Sequence, residues 1–147
     1  MILVDANLLI YVCNAESPYH SGADTWLTQR LNEPAQVGLP WHSLLAFLRI
    51  TTNPRAVTYP ASLDDAWSRV SGWLARDNVW IPHPTERHPA ILAELLTKVP
   101  VQGNFVMDAH LAALAIEHGL ILYSADSDFA KFPGLRWVNP LMPARSE

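Results

Sequence analysis

The sequence predicts an α/β protein built around a parallel sheet. Short apolar runs alternate along the chain with longer segments in which apolar residues recur at helical spacing. This alternation is typical of βαβ units, whose strands are parallel. The chain of 147 residues is long enough to bury one core, and no repeat, low-complexity run or linker divides it. We therefore expect a single domain over residues 1–147.

The first two predicted elements are a strand and a helix. MILV, at residues 1–4, is a continuous apolar run, as expected of a strand that helices cover on both faces. Residues 17–31 have the apolar spacing of a helix, with Ser17 as the expected N-cap and Pro18 in the first turn.

A second strand and two helices are predicted next. AQVGLP, at residues 35–40, is a strand candidate, and residues 43–52 form a mostly apolar helix that should end before Pro54. The clearest amphipathic helix spans residues 62–76, and Ser62 is its expected N-cap.

The sequence of the remaining part of the chain predicts two more helices and three more strands. One helix covers residues 88–99 with Pro89 near its start, and the other covers residues 104–119 with Gly119 as its C-cap. The strand candidates are NVWIP at 78–82, LILYS at 120–124 and LRWVN at 135–139. With the first two strands, these complete a five-stranded parallel sheet.

Acidic residues follow two of the predicted strands. Asp5 comes directly after the first strand, and Asp126 and Asp128 follow the fourth. Asp108 falls in the first turn of its helix, where the helix dipole favours a negative side chain. Because ligands of open α/β sheets bind beyond the carboxyl ends of the strands, we expect these carboxylates to meet at one edge of the sheet.

Such a group of carboxylates indicates a divalent-metal site. Closely placed carboxylates repel one another unless a cation neutralises them, and Mg²⁺ or Mn²⁺ prefers ligation by oxygen atoms. These ions clamp phosphate oxygens, orient a water molecule and stabilise the charge that develops when a phosphodiester is hydrolysed. A metal-dependent phosphodiesterase is the chemistry that fits this pattern.

Each acid also has a simpler explanation when it is taken alone. Asp5 can cap a helix that begins around Leu8, and Asp108 can be a solvated acid of a first helical turn. Asp126 and Asp128 are also typical of a turn. Their joint placement at one sheet edge favours the metal site.

Three segments, taken in their order along the chain, resemble the PIN domain. They are ILVDANLLIY, VMDAHLAALAIEHG and LILYSADSDFAKF. More narrowly, they resemble the VapC toxins of bacterial toxin–antitoxin pairs, and the FLRITTNPR stretch and the chain length are similar to one VapC subgroup. The resemblance covers essentially the whole chain.

This resemblance implies a fold, an activity and partners. The fold is an α/β/α sandwich with a five-stranded parallel sheet, and the activity is Mg²⁺-dependent cleavage of RNA, often structured RNA such as tRNA or rRNA. The usual partners are a second copy of the chain in a homodimer and a VapB-type antitoxin that inhibits the toxin. By position, Asp5, Asp108 and Asp126 match the family acids, and Asp128 matches a further acid of many members.

The sequence departs from the family pattern at one acidic position. Many PIN domains have a Glu on the helix after the second strand, in an Ala-Glu context, and the corresponding pair here is Ala46-Phe47. No acidic residue occurs between Glu33 and Asp64. Catalysis by a single metal ion, or low activity, is therefore compatible with the sequence. Asp128 is a candidate to replace the missing Glu in part.

Three further residues are candidates for supporting roles. Asn7 and Ser124 can hydrogen-bond the acidic site, although local backbone contacts and turn chemistry explain them equally. Arg49 can reach a phosphate, or it can be a surface Arg with a buried stem. His110 lies two residues after Asp108, so we expect it to face another side of the helix.

Composition excludes several other classes of protein. The net charge of −4 leaves no basic surface for unspecific nucleic-acid binding, so any RNA contact should be selective. Cys13 is the only cysteine, which excludes an intramolecular disulfide and a cysteine-based zinc site. No stretch has the ~20 apolar residues of a membrane span, and we expect a cytoplasmic protein with no membrane association.

Two rival classes of enzyme require residues or motifs that this sequence lacks. A haloacid-dehalogenase-type phosphatase needs Asp-x-Asp after its first strand, and this chain has Asp5-Ala6-Asn7. No Gly-rich phosphate loop supports a P-loop or Rossmann nucleotide site. The remaining alternative is a PIN-like module that binds RNA or protein and has lost efficient cleavage, a possibility that the missing helix Glu raises.

Overall fold

The computed structural model describes residues 1–142, and within them the chain forms a five-stranded, fully parallel sheet with strand order β3-β2-β1-β4-β5. The strands are β1 (Ile2–Val4), β2 (Val37–Gly38), β3 (Val79–Trp80), β4 (Ile121–Tyr123) and β5 (Trp137–Val138). Because β1 pairs with both β2 and β4, the direction of winding reverses at β1. In α/β sheets this reversal opens a crevice in which ligands bind.

Six α-helices connect the strands of the described chain. They are α1 (Ala6–Cys13), α2 (His20–Leu31), α3 (Trp41–Thr51), α4 (Leu63–Leu74), α5 (His88–Lys98) and α6 (Phe105–His118). A short 3₁₀ helix at Ser127–Lys131 follows β4. The predicted α/β fold with a five-stranded parallel sheet is confirmed.

The sheet separates two hydrophobic clusters. Val4 packs with buried residues of α1 to α4, whereas its neighbour Leu3 packs with those of α5 and α6. Successive side chains of a strand point to opposite faces, so β1 contributes to both clusters. This explains why the first four residues are continuously apolar, and it gives the α/β/α layering that the family resemblance implied.

Of the three cap residues assigned to predicted helices, two are confirmed. Ser62 caps α4 by accepting a hydrogen bond from the Asp65 N–H, and Gly119 ends α6 with a φ of 66° in the left-handed region. The prediction that Ser17 caps a helix was wrong. Its hydroxyl accepts the N–H of Tyr19 in a local turn, and α2 begins only at His20.

One helix was expected from the sequence only as the helix that Asp5 can cap, with a start around Leu8. α1 begins at Ala6, immediately after Asp5, and its Leu8, Leu9 and Val12 are buried between the sheet and the neighbouring helices. None of the helices within residues 1–142 is long and apolar enough to cross a membrane. Residues 143–147 of the predicted domain lie outside the described residues.

Candidate active site

Asp5 lies at the carboxyl end of the central strand and is held there by both of its carboxylate oxygens. Oδ1 accepts the N–H of Ala6 at 2.7 Å, which makes Asp5 the N-cap of α1. Oδ2 accepts a hydrogen bond from Ser124 Oγ at 2.7 Å. Burial raises the pKa of Asp5, and the Ser124 and Ala6 hydrogen bonds oppose that rise. The capping role and the site role therefore belong to the same carboxylate.

Ser124 connects the ends of β1 and β4. Its side chain is completely buried, and besides donating to Asp5 it accepts hydrogen bonds from Asn7 Nδ2 at 3.1 Å and from the Asp126 N–H at 3.0 Å. Asn7 also accepts the N–H of Ala125 at 3.3 Å. A hydroxyl has one donor and two acceptor positions, and Ser124 uses all of them. Asn7 and Ser124 thus orient Asp5.

A cavity of about 670 Å³ opens beside Asp5 at this edge of the sheet. Its walls come from the start of α1, from α3 and from the first half of α6. The polar and charged side chains that line it are those of Asp5, His42, Arg49, Asn104, Asp108 and His110. The cavity therefore combines two carboxylates with one arginine.

Asp108 lies in the first turn of α6, as the sequence predicted. Burial, and to a lesser degree the negative charges of Asp5, Asp126 and Asp128, raises its pKa from 3.8 to about 6. These electrostatic contributions show that carboxylates from three separate segments lie near one another. A cation placed among them would reverse the effect, because it favours the charged form of each acid.

Asp126 and Asp128 are less closely associated with the other two acids, Asp5 and Asp108, than the sequence suggested. Oδ1 of Asp126 accepts the N–H of Asp128 at 2.9 Å and so begins the 3₁₀ helix. Asp128 is exposed and forms an ion pair with Lys131 at 3.0 Å. Within residues 1–142, no three His, Cys, Asp or Glu side chains are grouped closely enough to hold a metal ion by themselves. The four acids share an electrostatic environment without forming a closed ligand set.

Two histidines of the cavity were not identified from the sequence. The expectation that His110 faces away was wrong, because the cavity extends over more than one turn of α6 and includes His110. The rings of His42 and His110 meet edge to face with centroids 5.8 Å apart. Burial lowers the pKa of both rings. Neither residue has a spacing signal, since their packing partners come from other helices.

Helix α3 contributes no carboxylate to the cavity. Phe47 is 1% exposed and packs against Trp73 with ring centroids 5.0 Å apart, inside the cluster formed by α1 to α4. Its neighbour Ala46 lines the cavity together with Leu45. The residue of the Ala46-Phe47 pair that faces the site is therefore the alanine.

Comparison with known proteins places this arrangement in a family. The family model described as "PIN domain" matches residues 2–135. The chain belongs to the PIN domain family. Ribonuclease VapC37 of Mycobacterium tuberculosis is 43% identical over 140 residues, which cover 95% of this chain and 97% of that protein. Ribonuclease VapC43 of the same organism is 39% identical over 141 residues, covering 96% of each chain.

Solved structures share the PIN-domain fold. VapBC2 from Rickettsia felis, bound to a DNA fragment from its promoter, matches with a TM-score of 0.71 at 17% identity and covers 95% of this chain and 98% of that one. VapC20 of Mycobacterium tuberculosis, a sarcin-ricin loop cleaving toxin, matches with a TM-score of 0.66 at 22% identity and covers 92% and 99%. The predicted relationship to the PIN domain and to VapC ribonucleases is confirmed.

Proposed function

We propose that this PIN-domain chain is a Mg²⁺-dependent endoribonuclease that acts as the toxin of a toxin–antitoxin pair. The observation that supports this function most directly is the cavity that Asp5 and Asp108 share at the carboxyl end of the sheet. Relatives at 39% and 43% identity over nearly the whole chain are named VapC ribonucleases. The chemistry of the cavity and the names of these relatives both indicate the hydrolysis of RNA phosphodiester bonds.

The donors of the cavity fit a hard divalent cation. Mg²⁺ usually keeps several water molecules and takes only one or two carboxylates besides substrate phosphate, so it does not need three preassembled side chains. Asp5 and Asp108 would hold the ion, and Asp126 and Asp128 would be the nearby additional acids. When bound, the ion would clamp phosphate oxygens and stabilise the negative charge that develops during hydrolysis. Mn²⁺ is expected to substitute for Mg²⁺.

The other polar residues of the site have distinct roles in this proposal. Ser124 and Asn7 hold the carboxylate of Asp5 in one orientation. Arg49 lines the same cavity and offers a permanent positive charge to an RNA phosphate. Because the whole chain has a net charge of −4, this local charge and the metal ion would supply most of the attraction for RNA.

The proposed biological setting follows the VapC relationship. The substrate is structured RNA such as tRNA or rRNA, the protein is a cytoplasmic homodimer, and a VapB-type antitoxin inhibits it. Trp67 on α4 is 47% exposed, and Leu63 at the start of that helix and Tyr59 before it are also exposed. Large apolar side chains on the surface are typical of protein–protein contacts and support a protein partner.

The proposed activity is tested by incubating purified, antitoxin-free protein with total cellular RNA. Discrete RNA fragments should appear with Mg²⁺ or Mn²⁺ and disappear when EDTA is added. Addition of the purified antitoxin should also suppress them. Fragments that persist in EDTA would contradict the metal-dependent mechanism.

The second candidate is a PIN-like module that binds RNA or protein without efficient cleavage. Two observations favour it: α3 provides no acid to the site, and the four Asp residues do not form a closed ligand set within the described chain. Folded protein that binds RNA but releases no fragments with either metal would support this module and contradict the nuclease.

A further inference from the structure

A buried carboxylate lies behind the cavity, on the last turn of α6. The side chain of Glu117 is completely excluded from solvent. Its Oε1 accepts the N–H of Thr85 at 2.8 Å, and its Oε2 lies 2.6 Å from Nδ1 of His88 on α5. His118 Nε2 is 3.8 Å from Oε1, a longer contact. Burying a carboxylate is costly unless it is hydrogen-bonded, and these contacts give both of its oxygens a partner.

His88 connects Glu117 to His110. Because a carboxylate only accepts hydrogen bonds, Nδ1 of His88 must carry the hydrogen that it shares with Glu117. On the other side of the ring, Nε2 of His88 lies 3.0 Å from Nδ1 of His110. The two rings also pack edge to face with centroids 4.9 Å apart. Glu117, His88 and His110 therefore form one hydrogen-bonded chain across α5 and α6.

The chain of hydrogen bonds ends in the candidate active site. His110 lines the cavity together with Asp5 and Asp108. Its Nδ1 is engaged by His88, whereas its Nε2 has no hydrogen-bond partner among the described residues. The free polar atom of this ring is therefore available to a molecule in the cavity. His42, whose ring touches that of His110, restricts the ring further.

We propose that Nε2 of His110 hydrogen-bonds the sugar–phosphate backbone of the RNA substrate, and that His88 and Glu117 are positioning residues that fix the ring of His110. This inference rests on the proposed function and adds substrate-contacting and positioning residues to it. A purely structural role explains this network of Glu117, His88 and His110 less well, because apolar residues of similar volume stabilise a core as well as a buried ionisable network does.

The contact is tested with two amide variants that separate the ring nitrogens. His110→Asn places an amide near the position of Nδ1 and can keep the bond to His88, but it removes Nε2. His110→Gln places its amide near the position of Nε2. We expect kcat/KM for RNA cleavage to fall about 10- to 100-fold in His110→Asn and clearly less in His110→Gln. Equal activity of both variants and the wild type would overturn the proposal.

The positioning role is tested by a double-mutant cycle. Glu117→Gln keeps an acceptor for Thr85 but removes the carboxylate that orients His88, and it should lower kcat/KM about tenfold. In the His110→Asn background the same change should have almost no further effect on kcat/KM, because the ring it positions is gone. Equal losses of kcat/KM in the two backgrounds would mean that Glu117 acts independently of His110, and would overturn the positioning role. His83→Gln, an exposed His outside the cavity, is the matched control.

Binding of RNA in EDTA separates this inference from the proposed function. If the wild type binds RNA but does not cleave it with Mg²⁺ or Mn²⁺, the nuclease proposal fails while His110 remains testable. His110→Asn should then bind RNA more weakly than both the wild type and His110→Gln. Unchanged RNA affinity, in protein shown by circular dichroism to be folded, would overturn the contact.

Discussion

Ser124 and Asp5 lie 119 positions apart in the sequence, and a 2.7 Å hydrogen bond from Ser124 Oγ to Asp5 Oδ2 joins them at the edge of the sheet. The bond exists because β1 and β4 are adjacent parallel strands, so their carboxyl ends coincide. It connects the first candidate acid to the segment that contains Asp126. The architecture of the sheet thereby determines the orientation of a carboxylate.

Ser124→Ala should weaken both stability and activity. The substitution removes the hydroxyl that donates to Asp5 and leaves Asn7 Nδ2 and the Asp126 N–H without their acceptor. We expect the free energy of unfolding to fall by about 1–3 kcal/mol, the usual range for losing a hydrogen bond to a charged group. Chemical denaturation measures this change. Ser71→Ala, at an exposed position of α4, should change it by no more than about 0.5 kcal/mol.

Asp108 should make the metal-free protein less stable as pH rises. The pKa of Asp108 is 3.8 in its ordinary state and about 6 in the fold, so between these values the folded state binds more protons than the unfolded chain. Its contribution to stability is therefore fully present below about pH 4 and is lost as pH rises to about 6.

The measurement is a comparison of melting temperatures in EDTA. Relative to the wild type, Asp108→Asn should gain more in Tm at about pH 7.5 than at about pH 4, because the variant cannot acquire the negative charge that destabilises the wild type. The same difference in Tm at both pH values would show that the fold does not shift the titration of Asp108.

Divalent-metal binding should weaken in mildly acidic solution. A carboxylate must be deprotonated to bind a metal ion, and the pKa of Asp108 is raised to about 6. Titration calorimetry with Mg²⁺ and Mn²⁺ should therefore give lower affinity at about pH 5 than at about pH 7.5. Asp108→Asn should bind more weakly at both values. An affinity independent of pH and of this substitution would place the metal elsewhere.

A carboxylate can be introduced on α3 at only one residue of the Ala46-Phe47 pair without disturbing the core. Ala46 lines the cavity, so Ala46→Glu should fold normally and bind Mn²⁺ more tightly than the wild type. Phe47 is packed on Trp73, so Phe47→Glu should lower the free energy of unfolding by about 3–5 kcal/mol or more. Thermal melts and metal titrations of both variants check this contrast. Similar stability of the two would contradict the assigned side-chain directions.

The sequence predicted those features that depend on local patterns. The apolar run before Asp5 indicated a strand covered on both faces, and its side chains do divide between two clusters. Asp108 was expected in a first helical turn and lies there. Parallel strands place their carboxyl ends together, so the neighbourhood of Asp5 and Asp126 followed from chain order.

Features that depend on packing between helices were not predictable. His110 joins the cavity because α6 lies beside α5 and α3, and no spacing within α6 indicates that contact. The pairing of Asp128 with Lys131 likewise depends on a 3₁₀ helix that has no periodic signal. The direction of Phe47 depends on Trp73, which is on another helix.

The central claim is tested most directly by measuring RNA cleavage by three variants: Asp5→Asn, Asp108→Asn and a matched acid variant. Asp64→Asn is the control, because Asp64 also lies in a first helical turn but on α4. With saturating Mg²⁺, Asp5→Asn and Asp108→Asn should cleave RNA slower by about 10²-fold or more while remaining folded. Asp64→Asn should cleave RNA at the wild-type rate. Wild-type cleavage by either active-site variant would contradict the proposed site.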